Sequence, residues 1–567
     1  MRFWLSLTTF VVGLSLAAVG LVDQFENQPL EQIRITKELT NEANFVLIPN
    51  RTLTSYPGTV QVSATGQGQV FVATVRESDA TAWLTDTQHQ ELRLSVDVAN
   101  ESAEFSSIER AGSGNLVDPV GFDIWRSSEI YQGTGKITVP EGNEVSVLIA
   151  SNGLEPAPSQ ISVVWTLPEQ PLPFSPLPPI GLALMLLGSI GVVLTALVRN
   201  KKSRAGRNFR GPKPPRRRKV RTVVTTNPKL SERRAARGMS LIAATLAIGS
   251  LSGCAVEYQN PIIAPSPSQA PDTLTPVMTR DQLDRVLDEI LTVIEEADAD
   301  LDRESIEARV TGPALAVRRA AYNLARRTEA EDGPVPIQRA PIKLFLPSAT
   351  DAWPRSVVVV TGDELLQLLV LHQEGPRENY RLIHYSALLP GTSFPEVAAE
   401  EVGANTVKPD SKFLSFDPLL LPQAVGELIN SPEDNPWGGL IDSENKYITD
   451  LIGVQANLVE TLDNANLDFG HRLGDEQLTL LATADGGALV ALYMIDTYTI
   501  IPKEPGDAVA ITGDEALLLG TGGSATGIET RYGAMLLFHV PAVGSESRVT
   551  LIGATQQLLT AVSLGAR

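Results

Sequence analysis

Long apolar runs are the first feature of the hydrophobic pattern. Phe3 to Val22 comprises 20 uncharged residues behind Arg2, enough to cross the roughly 30 Å hydrocarbon core of a bilayer. The run is longer than the apolar part of a usual signal peptide and lacks an A-x-A cleavage site before Asp23. Residues 1–22 are therefore predicted to form a signal-anchor helix, with a cleavable signal peptide as the alternative.

Two further apolar runs lie in the middle of the chain. Residues 180–198 follow a proline-rich spacer, 171–179, and end at a group of basic residues, which predicts a transmembrane helix. The third run, Met239 to Gly253, has 15 residues and is short for a membrane span. Its length suits the apolar part of a signal sequence, so residues 239–254 are interpreted as a third, signal-like segment.

Between the first two runs, residues 23–170 show the period of two that is typical of strands. Glu91 to Val98 alternates polar and apolar positions, and similar short runs are separated by Gly, Pro, Asn and Asp. Roughly eight such runs predict an extracytoplasmic all-β sandwich of the jelly-roll type. Its tryptophans are interpreted as core or rim residues, with a carbohydrate-stacking platform as the alternative; they are Trp83, Trp125 and Trp165.

After a polar tether, residues 255–274, the pattern changes to that of helices followed by strands. Thr279 and Gln282 have the spacing of a capping box, and an apolar stripe at helical spacing follows them. A second helix is predicted to begin near Gly312, with Pro313 in its first turn. Four strand-like runs come next, so this part is predicted to be α+β.

The α+β part contains an internal similarity. Leu368 to Leu389 resembles Met535 to Leu559, since each has an apolar strand that ends in histidine, a polar turn and a second long strand. Helices followed by a long antiparallel sheet are typical of NTF2-like or cystatin-like units. Two tandem units are therefore predicted, at residues 275–400 and 411–567.

The distribution of charged residues along the chain predicts its orientation in the membrane. The chain carries a net charge of -20, but residues 199–238 hold 16 Lys and Arg against one acid. Short basic loops remain on the cytoplasmic side, so this linker is predicted to be cytoplasmic and both large parts extracytoplasmic. The acidic remainder argues against nucleic acid as a partner, because phosphate binding requires clustered cations.

The one cysteine of the chain lies in a lipobox. Leu251 is apolar, Ser252 and Gly253 are small, and Cys254 follows them. A thiol at this place accepts a diacylglyceryl group at the membrane surface, and small neighbours allow a signal peptidase to reach the bond before Cys254. Cys254 is therefore the predicted lipidation site, with a buried cysteine at a helix end as the alternative.

No motif indicates catalysis, a metal or another cofactor. Asp298 to Asp302 contains a D-x-D pattern, but no nucleotide-binding unit surrounds it, and Arg303 and Arg309 occupy positions where a calcium loop needs glycine and glutamate. The acids are interpreted as a helix junction. The histidines are scattered and form no metal-binding motif; they are His89, His372, His384, His471 and His539. His372 and His539 end equivalent strand-like runs, so we expect structural roles for these two.

Nearly the full chain resembles an uncharacterised group of actinobacterial cell-envelope membrane proteins, with a C-terminal domain of unknown function. The resemblance rests on Thr52 to Val62, Glu144 to Trp165, Val310 to Arg327, the basic loop and the internal LSGC. Members of the group tend to carry the label "glycosyl transferase", although neither a sugar-nucleotide fold nor a placed catalytic acid is found here. The resemblance implies a location in the cell envelope and no known mechanism.

These patterns predict a non-enzymatic membrane protein or lipoprotein of the cell envelope that displays extracytoplasmic binding or scaffolding domains. Membrane lipids are the expected partners, together with envelope proteins or glycans. The alternative is an enzyme, or an accessory subunit, of cell-wall glycan assembly.

Overall fold

The computed structural model describes residues 2–26, 31–39, 43–97, 102–114, 116–142, 144–168, 176–204, 274–328, 334–474 and 478–565. These residues form two apolar helices and two sheet-containing parts. We call the two parts the β-module (residues 31–168) and the C-terminal region (residues 274–565). The content is therefore mixed α and β, with β-sheets in both parts.

Two described helices are long and apolar enough to cross a membrane, and they correspond to the first two apolar runs. They are α1 (Arg2–Glu26) and α4 (Leu177–Arg204). The helices pack against each other through glycines. A Cβ atom on Gly13 would lie 2.6 Å from the backbone nitrogen of Met185, and one on Gly188 would lie 2.7 Å from that of Phe10. Small residues therefore allow the two backbones to touch.

The β-module consists of one connected, mostly antiparallel sheet. Its strands are β1 (Gln32–Glu38), β2 (Phe45–Ile48), β3 (Thr59–Val75), β4 (His89–Asp97), β5 (Ser102–Arg110), β6 (Ser127–Val139), β7 (Ser146–Ala150) and β8 (Gln160–Thr166). Its short helices are α2 (Asn50–Leu53) and α3 (Glu77–Trp83). The strand order is β1-β8-β3-β7-β2-β4-β5, with β6 paired to β3. The predicted β-sheet content of this part is thus present, while the all-β sandwich of the jelly-roll type stays a prediction.

Long strand β3 joins the two halves of this sheet. Its first half pairs with β8 and its second half with β7, with a register irregularity between Thr65 and Gln69. Apolar cores cover both faces, and Trp165 belongs to one while Trp83 and Trp125 belong to the other. These three tryptophans are at most 1% exposed, so they are core residues and form no carbohydrate-stacking platform.

The first two helices of the C-terminal region begin where the sequence pattern predicts. Its helices are α5 (Arg280–Asp300), α6 (Gly312–Thr328), α7 (Leu421–Asn430), α8 (Lys446–Thr461) and α9 (Gly513–Leu519), with 3₁₀ turns at Ser305–Ala308 and Pro418–Leu420. The capping box of α5 is present, since Thr279 accepts from the backbone of Gln282 and the Gln282 side chain accepts from the backbone of Thr279. The apolar stripe of α5 is buried against the sheet.

The sheet of this region contains nine strands and is continuous. They are β9 (Ile342–Pro347), β10 (Arg355–Thr361), β11 (Gln367–Gln373), β12 (Arg381–Leu388), β13 (Ala465–Leu473), β14 (Thr479–Ala482), β15 (Ala488–Pro502), β18 (Ile528–Val540) and β19 (Thr550–Ser563). A separate two-stranded ribbon is formed by β16 (Val509–Ala510) and β17 (Gly523–Ser524). The strand order in the nine-stranded sheet is β13-β15-β18-β19-β12-β11-β10-β9, with β14 paired to β15.

The similar segments of the sequence occupy equivalent places in this sheet. They form the hairpins β11–β12 and β18–β19, which meet where Ala387 and Leu388 pair with Ala554 and Gly553. His372 lies between the strands β10 and β12, and His539 lies between β15 and β19. The two predicted units, residues 275–400 and 411–567, thus share one sheet and a core cluster. Their division into two NTF2-like domains stays a prediction.

Candidate functional site

The predicted lipobox, Leu251, Ser252, Gly253 and Cys254, lies outside the described residues. The same holds for the third apolar segment, most of the basic linker and nearly all of the tether. Lipidation therefore stays a prediction from the sequence.

The acids of the D-x-D motif serve the junction after α5. Asp298 accepts hydrogen bonds from Arg318 Nη1 at 2.8 Å and from the Tyr322 hydroxyl at 2.6 Å. Burial raises the pKa of Asp298, and the nearby Arg318 opposes this rise. Asp302 accepts from the backbone of Glu304 and Ser305, which begins the next turn. Among the described residues, no group of three or more potential metal ligands is found.

The histidines occupy separate environments. His384 is buried, and burial lowers its pKa to about 3, so it is neutral at physiological pH. His372 lies 3.3 Å from the Ser356 hydroxyl and 3.3 Å from Glu374. His471 contacts Asp496 at 2.7 Å. His372 and His384 lie near each other on the paired strands β11 and β12, whereas His471 lies on β13. Within the described part of the chain, these histidines belong to no group of three or more potential metal ligands.

A buried polar cluster lies between the β-module and the C-terminal region. At its centre is Asp123 of the β-module, whose side chain is fully buried. Its Oδ2 atom accepts from Arg309 Nη1 at 2.6 Å and from the backbone nitrogen of Tyr380 at 2.8 Å. The backbone of Asp123 donates to Asn379 Oδ1 at 3.0 Å and accepts from Gln282 Nε2 at 2.5 Å. One residue of the β-module thus contacts three separate segments of the C-terminal region.

A second group of charges crosses the same boundary. Asp79 of α3 accepts from Arg355 Nη2 at 2.7 Å, and both side chains are at most 3% exposed. Next to this pair, Arg76 of the β-module forms an ion pair with Asp351. Charges of both signs therefore come from both sides, and each buried charge has a partner of opposite sign, as burial in a low dielectric requires. We call the contacts of Asp123 and Asp79 with the C-terminal region the ionic junction.

Aromatic packing accompanies the ionic junction. Trp353 of the C-terminal region packs against the tryptophan core of the β-module, and the Arg355 guanidinium lies 3.6 Å from its ring centroid. Arg377 donates to the backbone oxygen of Trp83 at 3.0 Å and to the Thr87 hydroxyl at 2.6 Å. The boundary therefore combines apolar burial with satisfied charges, the composition of a specific protein–protein interface.

Sequence reasoning did not identify these residues. Trp353 packs against the other part of the chain, the β-module, a contact that no local pattern around it predicts. The pair of Asp123 and Arg309 is separated by 186 residues. No motif or periodicity links them, because either residue alone has the sequence context of an ordinary surface charge.

Known sequences are similar to this chain over about half of its length. A family defined by a domain of unknown function, DUF8094, matches residues 274–563. An uncharacterised lipoprotein of Streptomyces coelicolor is 27% identical over 302 residues, which cover 48% of this chain and 78% of the relative. No solved structure matches the chain significantly. Together with the two apolar helices, this similarity indicates a membrane-associated protein. Because the DUF8094 match spans half of its length, the chain belongs to the DUF8094 family.

Proposed function

We propose that this protein is a non-enzymatic scaffold of the bacterial cell envelope, in which the β-module and the C-terminal region form one extracytoplasmic binding unit on a membrane anchor. The observation that carries the proposal is the ionic junction. Buried charge pairs between two parts of a chain specify one arrangement, since any other arrangement leaves charges unpaired. The unit would present envelope proteins or glycans with a fixed surface.

The two apolar helices support the proposal of a membrane anchor. In α1 and α4, only 17% and 11% of the most apolar window is buried, which favours membrane helices over core helices of a soluble protein. Leu186 and Leu187 are each 63% exposed, which is unfavourable in water and favourable in lipid. Close packing through Gly13 and Gly188 is typical of helix pairs in membranes, where small residues allow backbone contact.

The ionic junction also supports the predicted topology. The β-module lies between α1 and α4 in the chain, so two crossings would place it outside and return the chain to the cytoplasm. The C-terminal region can contact the β-module only on the same side of the membrane. A further crossing is then needed between residues 204 and 274, and the apolar segment 239–254 is the part that can supply it.

Lipidation of Cys254 belongs to the same proposal. The lipobox of Leu251, Ser252 and Gly253 places Cys254 at the outer end of the third segment. The Streptomyces relative, which matches part of the chain, is named a lipoprotein. A lipid at Cys254 would attach the C-terminal region to the membrane surface from which the β-module projects.

Labelling of single cysteines tests this arrangement. In the full chain carrying Cys254→Ala, one new cysteine is placed at exposed Ser106, at exposed Ser547 or at Ser231 of the basic linker. We expect a membrane-impermeant maleimide to label positions 106 and 547 on intact spheroplasts, and position 231 only after lysis. Labelling at position 231 in intact cells, or protection at position 547, would refute the topology. The scaffold role itself would be refuted if crosslinking of intact cells captured no envelope protein or glycan on either part.

A further inference from the structure

Three arginines of the β-module converge on one buried carboxylate. Glu91 on β4 is 6% exposed. Its Oε1 atom accepts from Arg93 Nε at 2.7 Å and pairs with Arg51 of α2. Its Oε2 atom accepts from Arg110 of β5 at 2.8 Å and 3.2 Å. We call Arg51, Arg93 and Arg110 the arginine trio.

The arginine trio has more positive charge than Glu91 neutralises. Burial alone would raise the pKa of Glu91, but hydrogen bonds from the trio outweigh it and lower the pKa to about 2. Glu91 is therefore ionised and contributes one negative charge against three positive ones. Glu77 attracts Arg93 through space and reduces the excess without removing it. In a chain of net charge -20, this local surplus is unusual.

Among the contacts of the described residues, donor groups of the trio remain free for a ligand. A guanidinium carries five N–H donors, of which Arg51 and Arg93 each use one and Arg110 uses two on Glu91. The three side chains are 34% to 48% exposed, whereas Glu91 lies beneath them. An anion can therefore approach the guanidinium groups from solvent while Glu91 holds them together from below.

The trio lies at the end of the β-module from which the chain enters α4. The Thr52 hydroxyl donates to the Leu92 oxygen at 3.1 Å, which ties α2 to β4. The Trp165 indole donates to the Leu53 oxygen at 2.7 Å, which ties α2 to the end of β8. Strand β8 ends at Thr166, and α4 begins shortly afterwards at Leu177. If α4 spans the membrane, this end of the β-module faces the lipid headgroups.

We propose that the arginine trio is a binding site for a phosphate group, supplied by the headgroup of an anionic phospholipid. Several guanidinium groups around one point match the oxygens of a phosphate, which accept paired N–H donors. The assignment to a lipid rests on the membrane anchoring proposed above, whereas phosphate binding does not.

Native mass spectrometry of the detergent-solubilised full chain tests the site with three probes: phosphatidylglycerol, phosphatidylcholine and inorganic phosphate. We expect retention of phosphatidylglycerol over phosphatidylcholine. Because each substitution removes a charge-assisted hydrogen bond to the phosphate, weakened by partial exposure to solvent, Arg93→Gln or Arg110→Gln should weaken binding by about fivefold or more. The matched control is Arg34→Gln on β1, an exposed arginine of the same module that should leave retention unchanged.

A gain-of-binding variant separates the site from a merely structural cluster. Glu91→Gln removes the internal anion, so phosphatidylglycerol should bind roughly threefold tighter or more, a result that misfolding cannot produce. Unchanged retention in both arginine variants, or no gain with Glu91→Gln, would overturn the site. If inorganic phosphate alone binds as tightly as phosphatidylglycerol, the phosphate site stands and the lipid source is wrong. Because binding is measured in detergent, these outcomes do not depend on the topology tested above.

Discussion

Replacing Arg309 with methionine removes the main cation that neutralises Asp123 at the ionic junction. The Asp123 side chain is fully buried and would keep only the backbone donor of Tyr380 and the more distant Arg285, whose Nη1 lies 3.8 Å from Oδ1. Removing one partner of a buried ion pair generally costs about 3–5 kcal/mol, because the remaining charge is desolvated without compensation. We expect Arg309→Met to weaken the contact between the two parts by this amount.

A matched control distinguishes the junction from a general effect of losing an arginine. Arg319 pairs with Glu307 on the surface of the C-terminal region, and these side chains are 30% and 52% exposed. An exposed ion pair contributes about 1 kcal/mol or less. Arg319→Met should therefore leave the junction intact and change stability little.

Retention on the membrane after cutting the tether provides the assay. A site for a specific protease is inserted in the full chain between Pro265 and Gln269, beyond the predicted lipid anchor. After cleavage, we expect the C-terminal region to remain with the membrane in the wild type and in Arg319→Met. In Arg309→Met it should be released, because 3–5 kcal/mol corresponds to a dissociation constant about 10²- to 10³-fold higher or more.

A double variant identifies the unpaired charge as the cause. In Asp123→Leu with Arg309→Met, both partners become apolar, and part of the retention lost in Arg309→Met should return. Retention of Arg309→Met equal to that of Arg319→Met would refute the reasoning. Equal loss of folded protein in both variants, measured by thermal unfolding, would likewise show that the ionic junction is not decisive.

Three further outcomes are expected. Metabolic palmitate labelling should mark the wild-type protein and not Cys254→Ala, and an unlabelled wild type would contradict lipidation at this residue. Gly188→Leu should lower the thermal midpoint of the full chain in detergent. Its Cβ would lie 2.7 Å from the backbone of the partner helix, and such overpacking costs about 1–3 kcal/mol. The exposed control Leu187→Ile should leave the thermal midpoint unchanged. Hydrogen bonds from arginine lower the pKa of Glu91 to about 2 from an ordinary 4.5, so its stabilisation should be complete above pH 4.5 and be lost as the pH falls towards 2. Urea unfolding across this range should therefore show a weaker acid dependence in Glu91→Gln than in the wild type, and identical curves would contradict the assignment.

Much of the local structure follows from neighbours in the sequence. The capping box at Thr279 and the apolar stripe after it predict α5, because both signals repeat within one or two helical turns. The length and apolarity of α1 and α4 are likewise visible in the sequence. The similarity of the two histidine-ended segments predicts two equivalent hairpins, and the strand register confirms them.

Which of these elements pair with each other cannot be predicted from the local sequence pattern. That β12 and β19 pair edge to edge, so that both halves share one sheet, depends on contacts between Leu388 and Gly553. Glycines 13 and 188 were part of two apolar runs, and only the structure shows that they allow two backbones to touch. Periodicity reports which face of an element is buried and does not report which element covers it.

The apolar segments, the lipobox at Cys254, the acidic and basic parts and the succession of β and α+β patterns can all be read from the amino-acid sequence. The pairing of Asp123 with Arg309 and of Asp79 with Arg355, which joins two apparently separate parts into one unit, is visible only in the folded chain. A charge becomes costly to leave unpaired, and its pairing therefore specific, only when folding removes it from water. Along the chain, the same residues are indistinguishable from solvated charges.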